Sequence, residues 1–73
     1  MDDLTVLFGL RVRELRTLKH ISQEKLAEYA DLDMQMIGRI ERGEHSCNIE
    51  AAAKIAEALG VSLSLMLSPD MNI

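Results

Sequence analysis

Between Ser22 and Gly43 two short helical runs are bracketed by residues that start and stop helices, and that bracketing constrains the fold more than any other feature. Ser22 is a good N-cap, because its hydroxyl can accept from the unpaired N–H groups of the next turn, and Glu24 sits at the positive end of the helix dipole. The first run reaches about Tyr29. Leu26, Ala27 and Ala30 are its only apolar stripe, so it must pack tightly, and the small Ala27 suits close approach of another helix. Asp31-Leu32-Asp33 reads as a turn in which Asp31 takes a left-handed conformation, Leu32 plugs the core and Asp33 caps the second run. That second run, about Met34 to Glu41, turns Ile37 and Ile40 inward, and Gly43 supplies the left-handed C-cap that ends it.

The flanks read as helices too. From Leu4 to Lys19 apolar residues recur at Leu4, Phe8, Val12 and Leu15, the spacing of one helical face. His20 stands where a left-handed residue would end that helix, and Ile21 turns back into the core. Glu44 to Cys47 form a loop. Asn48 caps a fourth helix, Ile49 to Leu59, with Ile49, Ala52, Ile55, Ala56 and Leu59 inward and Gly60 at its close. Ser62 caps a last short helix, Leu63 to Leu67, which Ser68-Pro69 stops. No alternating strand pattern of useful length occurs, so the chain is expected to be all-α, with five helices.

Seventy-three residues, 48% of them hydrophobic, fit one domain over positions 1–73 and leave little room for a second. A domain this short buries only about 60% of its unfolded surface, so association with a partner is expected to stabilise it. The single cysteine, Cys47, excludes an intramolecular disulfide, and Cys and His are too few for the usual zinc spacings. Neither a metal nor any other cofactor is expected. Cys47 is expected to be a small, half-buried loop residue, and His20 and His45 structural or solvated. The Met1-Asp2-Asp3 start has no basic patch ahead of an apolar run, and no segment approaches the roughly 18 apolar residues of a membrane span. The expected location is the cytoplasm, with no membrane partner.

Charge is unevenly placed. The net charge is −4, yet seven of the eight basic residues (Arg11, Arg13, Arg16, Lys19, Lys25, Arg39, Arg42) lie between positions 11 and 42, where six acidic residues leave the stretch near neutral. Clustered basic residues are what binding to phosphates requires.

Four blocks then occur in order: Arg13-Glu14-Leu15-Arg16, Ser22-Gln23-Glu24-Lys25-Leu26-Ala27, Ile37-Gly38-Arg39-Ile40-Glu41-Arg42-Gly43, and Ile55-Ala56-Glu57-Ala58-Leu59-Gly60-Val61-Ser62. Together they resemble the Cro and phage-repressor type (XRE) helix-turn-helix domains, including the small controller proteins of restriction–modification systems. The resemblance spans roughly Phe8 to Leu67. It implies a five-helix, lambda-repressor-like fold whose motif, residues 22–43, binds double-stranded DNA as a transcription regulator.

In that architecture the motif's second helix enters the major groove and its first crosses the backbone. Met34, Gln35, Met36 and Arg39 are then the base-reading candidates. Gln35 can pair with adenine and Arg39 with guanine, while Met34 and Met36 offer apolar contact to a thymine methyl or, alternatively, mark a protein-binding surface. The resemblance places Gln23 on a phosphate, and Arg42 and the loop to Ser46 near another. Arg11 or Arg13 could add a further contact, with Lys25 a weaker candidate. The resemblance also makes Arg16 and Glu41 a structural ion pair that orients the recognition helix.

Relatives of this kind commonly dimerise near the C-terminus, where Leu63, Leu65 and Met66 cluster. A homodimer would set two recognition helices about 34 Å apart on a pseudo-palindromic operator. No small-molecule ligand is expected. A catalytic role finds no nucleophile with a base, no paired acids and no phosphate-binding glycine loop. The alternative is a protein-interaction module of the same fold, antitoxin-like or an accessory regulator, suggested by the acidic total, Glu44 in the loop, and the two methionines. Ala51-Ala52-Ala53 leaves either room for other side chains or a close approach by a neighbouring helix.

Overall fold

The structure, a computed structural model, describes residues 3–68, which form five α-helices and no strand. They are α1 (Asp3–Leu18), α2 (Gln23–Ala30), α3 (Met34–Glu41), α4 (Ile49–Ala58) and α5 (Leu63–Met66). The expectations at Met1, Asp2 and Pro69 lie outside the described residues.

Every expected N-cap forms. Ser22 Oγ accepts from Lys25 N at 3.0 Å, Asp33 Oδ1 from Gln35 N at 3.1 Å, Asn48 Oδ1 from Ala51 N at 2.8 Å and Ser62 Oγ from Leu65 N at 3.1 Å. A cap of this kind contributes about 1 kcal/mol, a large share for helices of only eight residues such as α2 and α3. The left-handed turns also fall where expected, His20 at φ 57° and Asp31 at φ 58°. Gly43, at φ 74°, closes α3: its N–H donates to the Ile40 carbonyl at 3.0 Å, and the Glu44 N–H donates to the Arg39 carbonyl at 2.9 Å. That paired arrangement needs a left-handed residue, which glycine supplies without a steric penalty.

α1 packs on α3 and α5, while α2 lies between α3 and α4. Val12, Leu26, Ile37, Ile40, Ile55, Leu59 and Met66 are fully buried at the centre, and each such side chain stabilises the fold by about 1.5–3 kcal/mol relative to exposure. Ala27, Ala30, Ala52 and Ala56 are buried beside them, letting α2 and α4 approach closely.

Three expectations need correction. Leu4 and Ile49 belong to inward stripes but are 55% and 79% exposed, because each occupies the first turn of its helix, beyond the element it would pack on. Both line an apolar groove that Phe8, Ala52, Leu63 and Leu67 also line. Met66, expected at a dimer surface, has 0% exposure and fills the core where α5 folds back against α1 and α4. It has no surface to offer a partner.

Candidate nucleic-acid interface

The outer side of α3 carries Met34, Gln35 and Arg39, all exposed, while Ile37 and Ile40 anchor its inner side. Asp33 fixes where this helix starts by binding the Gln35 N–H. Its far end is fixed by Glu41, the buried charged residue of the core, which receives Arg16 Nε at 2.6 Å and Arg16 Nη2 at 3.1 Å. Arg16 Nη1 also donates to the Ile21 carbonyl at 2.9 Å, so one guanidinium ties α1 to the end of α3 and to the turn before α2. The hydrogen bond to Glu41 raises the Arg16 pKa above the ordinary arginine value, outweighing a lowering by burial.

Gln23, the first residue of α2, joins this network: its Nε2 donates to Glu41 Oε1 at 3.1 Å. One carboxylate therefore couples the start of α2 to the end of α3. The remaining Gln23 amide hydrogen is available to another acceptor. Around Gln23 a concavity is lined by Met34, Gln35, Gly38, Arg39 and Arg42. Five of the seven residues expected to meet DNA, namely Gln23, Met34, Gln35, Arg39 and Arg42, thus share one surface.

The other two stand apart. Met36 is half-buried and packs against the core, and Ser46 is exposed but lines the apolar groove with Leu4 and Phe8. Arg42 forms an exposed ion pair with Glu44, Nε to Oε2 at 3.2 Å. Arg11 does not turn toward this surface: its Nη2 donates to the Ser68 carbonyl at 2.9 Å, joining α1 to the segment that follows α5. Lys25 pairs with Glu28 at 3.7 Å and lies 5.7 Å from the centre of the Tyr29 ring, while Arg13 stays exposed.

Residues 12–66 match the HTH_3 family, described as helix-turn-helix. The chain belongs to the helix-turn-helix family. Control protein C.BamHI of Bacillus amyloliquefaciens is 43% identical to it over 61 residues, covering 82% of this chain and 75% of that protein. Control protein C.SmaI of Serratia marcescens is 32% identical over 66 residues, covering 90% and 79%. Among solved structures, the restriction-modification controller protein C.AhdI from Aeromonas hydrophila superposes with a TM-score of 0.82 at 41% identity, over 88% of this chain and 96% of that one.

Sequence reasoning missed the work of two glycines, one in α1 and one in α3. A Cβ on Gly9 would run into the Ile40 carbonyl oxygen, so the absence of a side chain there sets how closely α1 approaches α3. Gly38 forms part of the concavity around Gln23. A glycine inside each of two helices, where alanine is favoured, was the signal available.

Proposed function

We propose that this protein is a homodimeric, sequence-specific double-stranded DNA-binding regulator of transcription, of the restriction–modification controller kind. It acts without a cofactor and in the cytoplasm. α3 lies in the major groove, with Gln35 and Arg39 reading base edges and Met34 supplying apolar contact. Gln23 and Arg42 bind the sugar–phosphate backbone, which positions the domain without reading sequence. Ser46 and Met36 have supporting parts at most, at the edge of the contact.

The observation that carries this reading is the Arg16–Glu41–Gln23 network. It fixes α3 against the start of α2 while leaving the polar side chains of α3 outward, as insertion into a groove requires. The acidic total is no obstacle, since Gln35, Arg39, Arg42 and Gln23 form a surface without a carboxylate among its lining residues. Dimerisation is assigned to α5, with Leu65, 43% exposed, and the half-buried Leu63 as the apolar contacts.

Selection of duplexes from a random pool by the purified protein tests the reading. The expected result is enrichment of a pseudo-palindrome whose half-sites are about one helical turn apart. Recovery of no preferred sequence, alongside stoichiometric capture of a protein partner, would instead establish an interaction module.

A further inference from the structure

Gly38 sits inside α3 without a positive φ, so the backbone places no demand for glycine there. Helix stability argues for alanine, because glycine loses more conformational freedom on folding. The reason for glycine lies in the space it leaves. A Cβ at this position would stand 3.2 Å from Arg42 Nη1, 3.5 Å from Gln23 Oε1 and 3.8 Å from Gln23 Nε2, and these three nearest atoms all belong to side chains. The guanidinium of Arg42 therefore lies over the bare Cα of Gly38, beside the Gln23 amide, and its Nε pairs with Glu44 at 3.2 Å.

We propose that Gly38 is a positioning residue for DNA binding: it is the seat that brings the Arg42 guanidinium alongside Gln23, so that both side chains present donors to the same phosphate-binding concavity. This rests on the reading of Arg42 and Gln23 as backbone contacts. A guanidinium already resting in place loses less rotamer freedom when it takes up a phosphate than one swinging in solvent. A methyl group on the seat pushes Arg42 Nη1 back by a few tenths of an ångström. Because the displaced atom is the free end of a flexible side chain rather than backbone, the fold absorbs the change while the binding surface does not.

Stability and binding should therefore move in opposite directions in Gly38→Ala. Its Tm is expected to rise by roughly 4 °C or more, from removal of a helix-interior glycine. Its affinity for a short mixed-sequence duplex at low salt is expected to fall about tenfold, the scale of one hydrogen bond to a charged group. The same substitution made in an Arg42→Ala background should change affinity by less than about threefold, since the side chain through which Gly38 acts is gone.

Undiminished affinity of Gly38→Ala, a lower Tm, or an equal tenfold loss in the Arg42→Ala background would each overturn the seat. These outcomes are distinct from failure of the DNA-binding reading, in which the unaltered protein would itself fail to bind the duplex at low salt.

Discussion

Arg16 grips Glu41 at two points, Nε to Oε2 and Nη2 to Oε1, and the carboxylate so held is only 3% exposed. Without Arg16, Glu41 keeps only the Gln23 amide in place of the two guanidinium hydrogen bonds. Arg16→Ala is accordingly expected to cost about 3–5 kcal/mol, measured by urea unfolding, because a buried charge is left unpaired. Arg16→Lys should recover part of the loss and no more. A lysine ammonium matches the charge but not the planar fork, and it has no second arm for the Ile21 carbonyl. An Arg16→Ala protein as stable as the original would show that the pair holds nothing.

Gly9 gives the opposite case to Gly38. Its neighbours are backbone, the carbonyl oxygens of Ile40 and Glu41, and a backbone carbonyl in a helix cannot swing aside. Gly9→Ala must push α1 away from α3 despite the better helix propensity of alanine. A loss of about 1–3 kcal/mol is expected from overpacking, seen as a lowered Tm. A neutral result would mean that the two helices slide apart freely.

These residues show which parts of the molecule were legible in the sequence. The caps at Ser22, Asp33, Asn48 and Ser62 and the left-handed turns at His20 and Asp31 were readable because their chemistry closes within a few residues. Periodicity gave the faces of α1 and α4 but not where their partners end, which is why Leu4 and Ile49 emerge exposed. The burial of Met66 depends on α5 folding back onto the core, and the bond from Arg11 to Ser68 joins positions 57 apart. Neither leaves a local trace. The candidate interface divides in the same way: outward positions on α3 follow from helical phase, whereas the link from Gln23 to Glu41 and the crowding at Gly9 require the assembled fold.

Cys47 is half-buried, and burial raises its thiol pKa above the ordinary cysteine value by disfavouring the thiolate. The folded protein then holds this proton more tightly than the unfolded chain does. The stability so contributed is present below the ordinary thiol range and is lost as pH rises through and above it. Alkylation at neutral pH is expected to be slower for the folded protein than for the urea-unfolded chain, with the gap narrowing only in alkaline solution. Equal rates at neutral pH would remove the burial argument and reopen a reactive role for the thiol.

Leu65 and Met66 are adjacent on α5 yet should report on different properties. Leu65 is exposed, so Leu65→Asp is expected to shift sedimentation equilibrium toward monomer while leaving Tm little changed at concentrations where the parent is monomeric. Met66 is enclosed, and Met66→Ala should cost about 2–5 kcal/mol of stability through cavity formation. If Leu65→Asp dimerises as well as the parent, the two-fold contact does not lie on α5.

Base reading and backbone binding should separate on α3 and its C-cap. Arg39 is exposed with no ion pair among those found in the described residues, so Arg39→Ala is expected to leave stability within about 0.5 kcal/mol and to relax preference at one base pair by about 1–3 kcal/mol. Arg42→Ala should instead weaken binding to selected and random duplexes alike and make the log–log salt dependence shallower by roughly one unit, the signature of one lost phosphate contact. Gln23→Ala is a less direct probe of the backbone contact, because it also removes a hydrogen bond from Glu41 and is expected to lower stability with affinity. Glu44→Gln frees Arg42 from its exposed partner and removes a negative charge near the phosphates, so its affinity for any duplex should rise a few-fold at low salt and by less at high salt. If Arg39→Ala and Arg42→Ala lowered affinity equally for selected and random duplexes, α3 would be a phosphate-binding element rather than a reader of sequence.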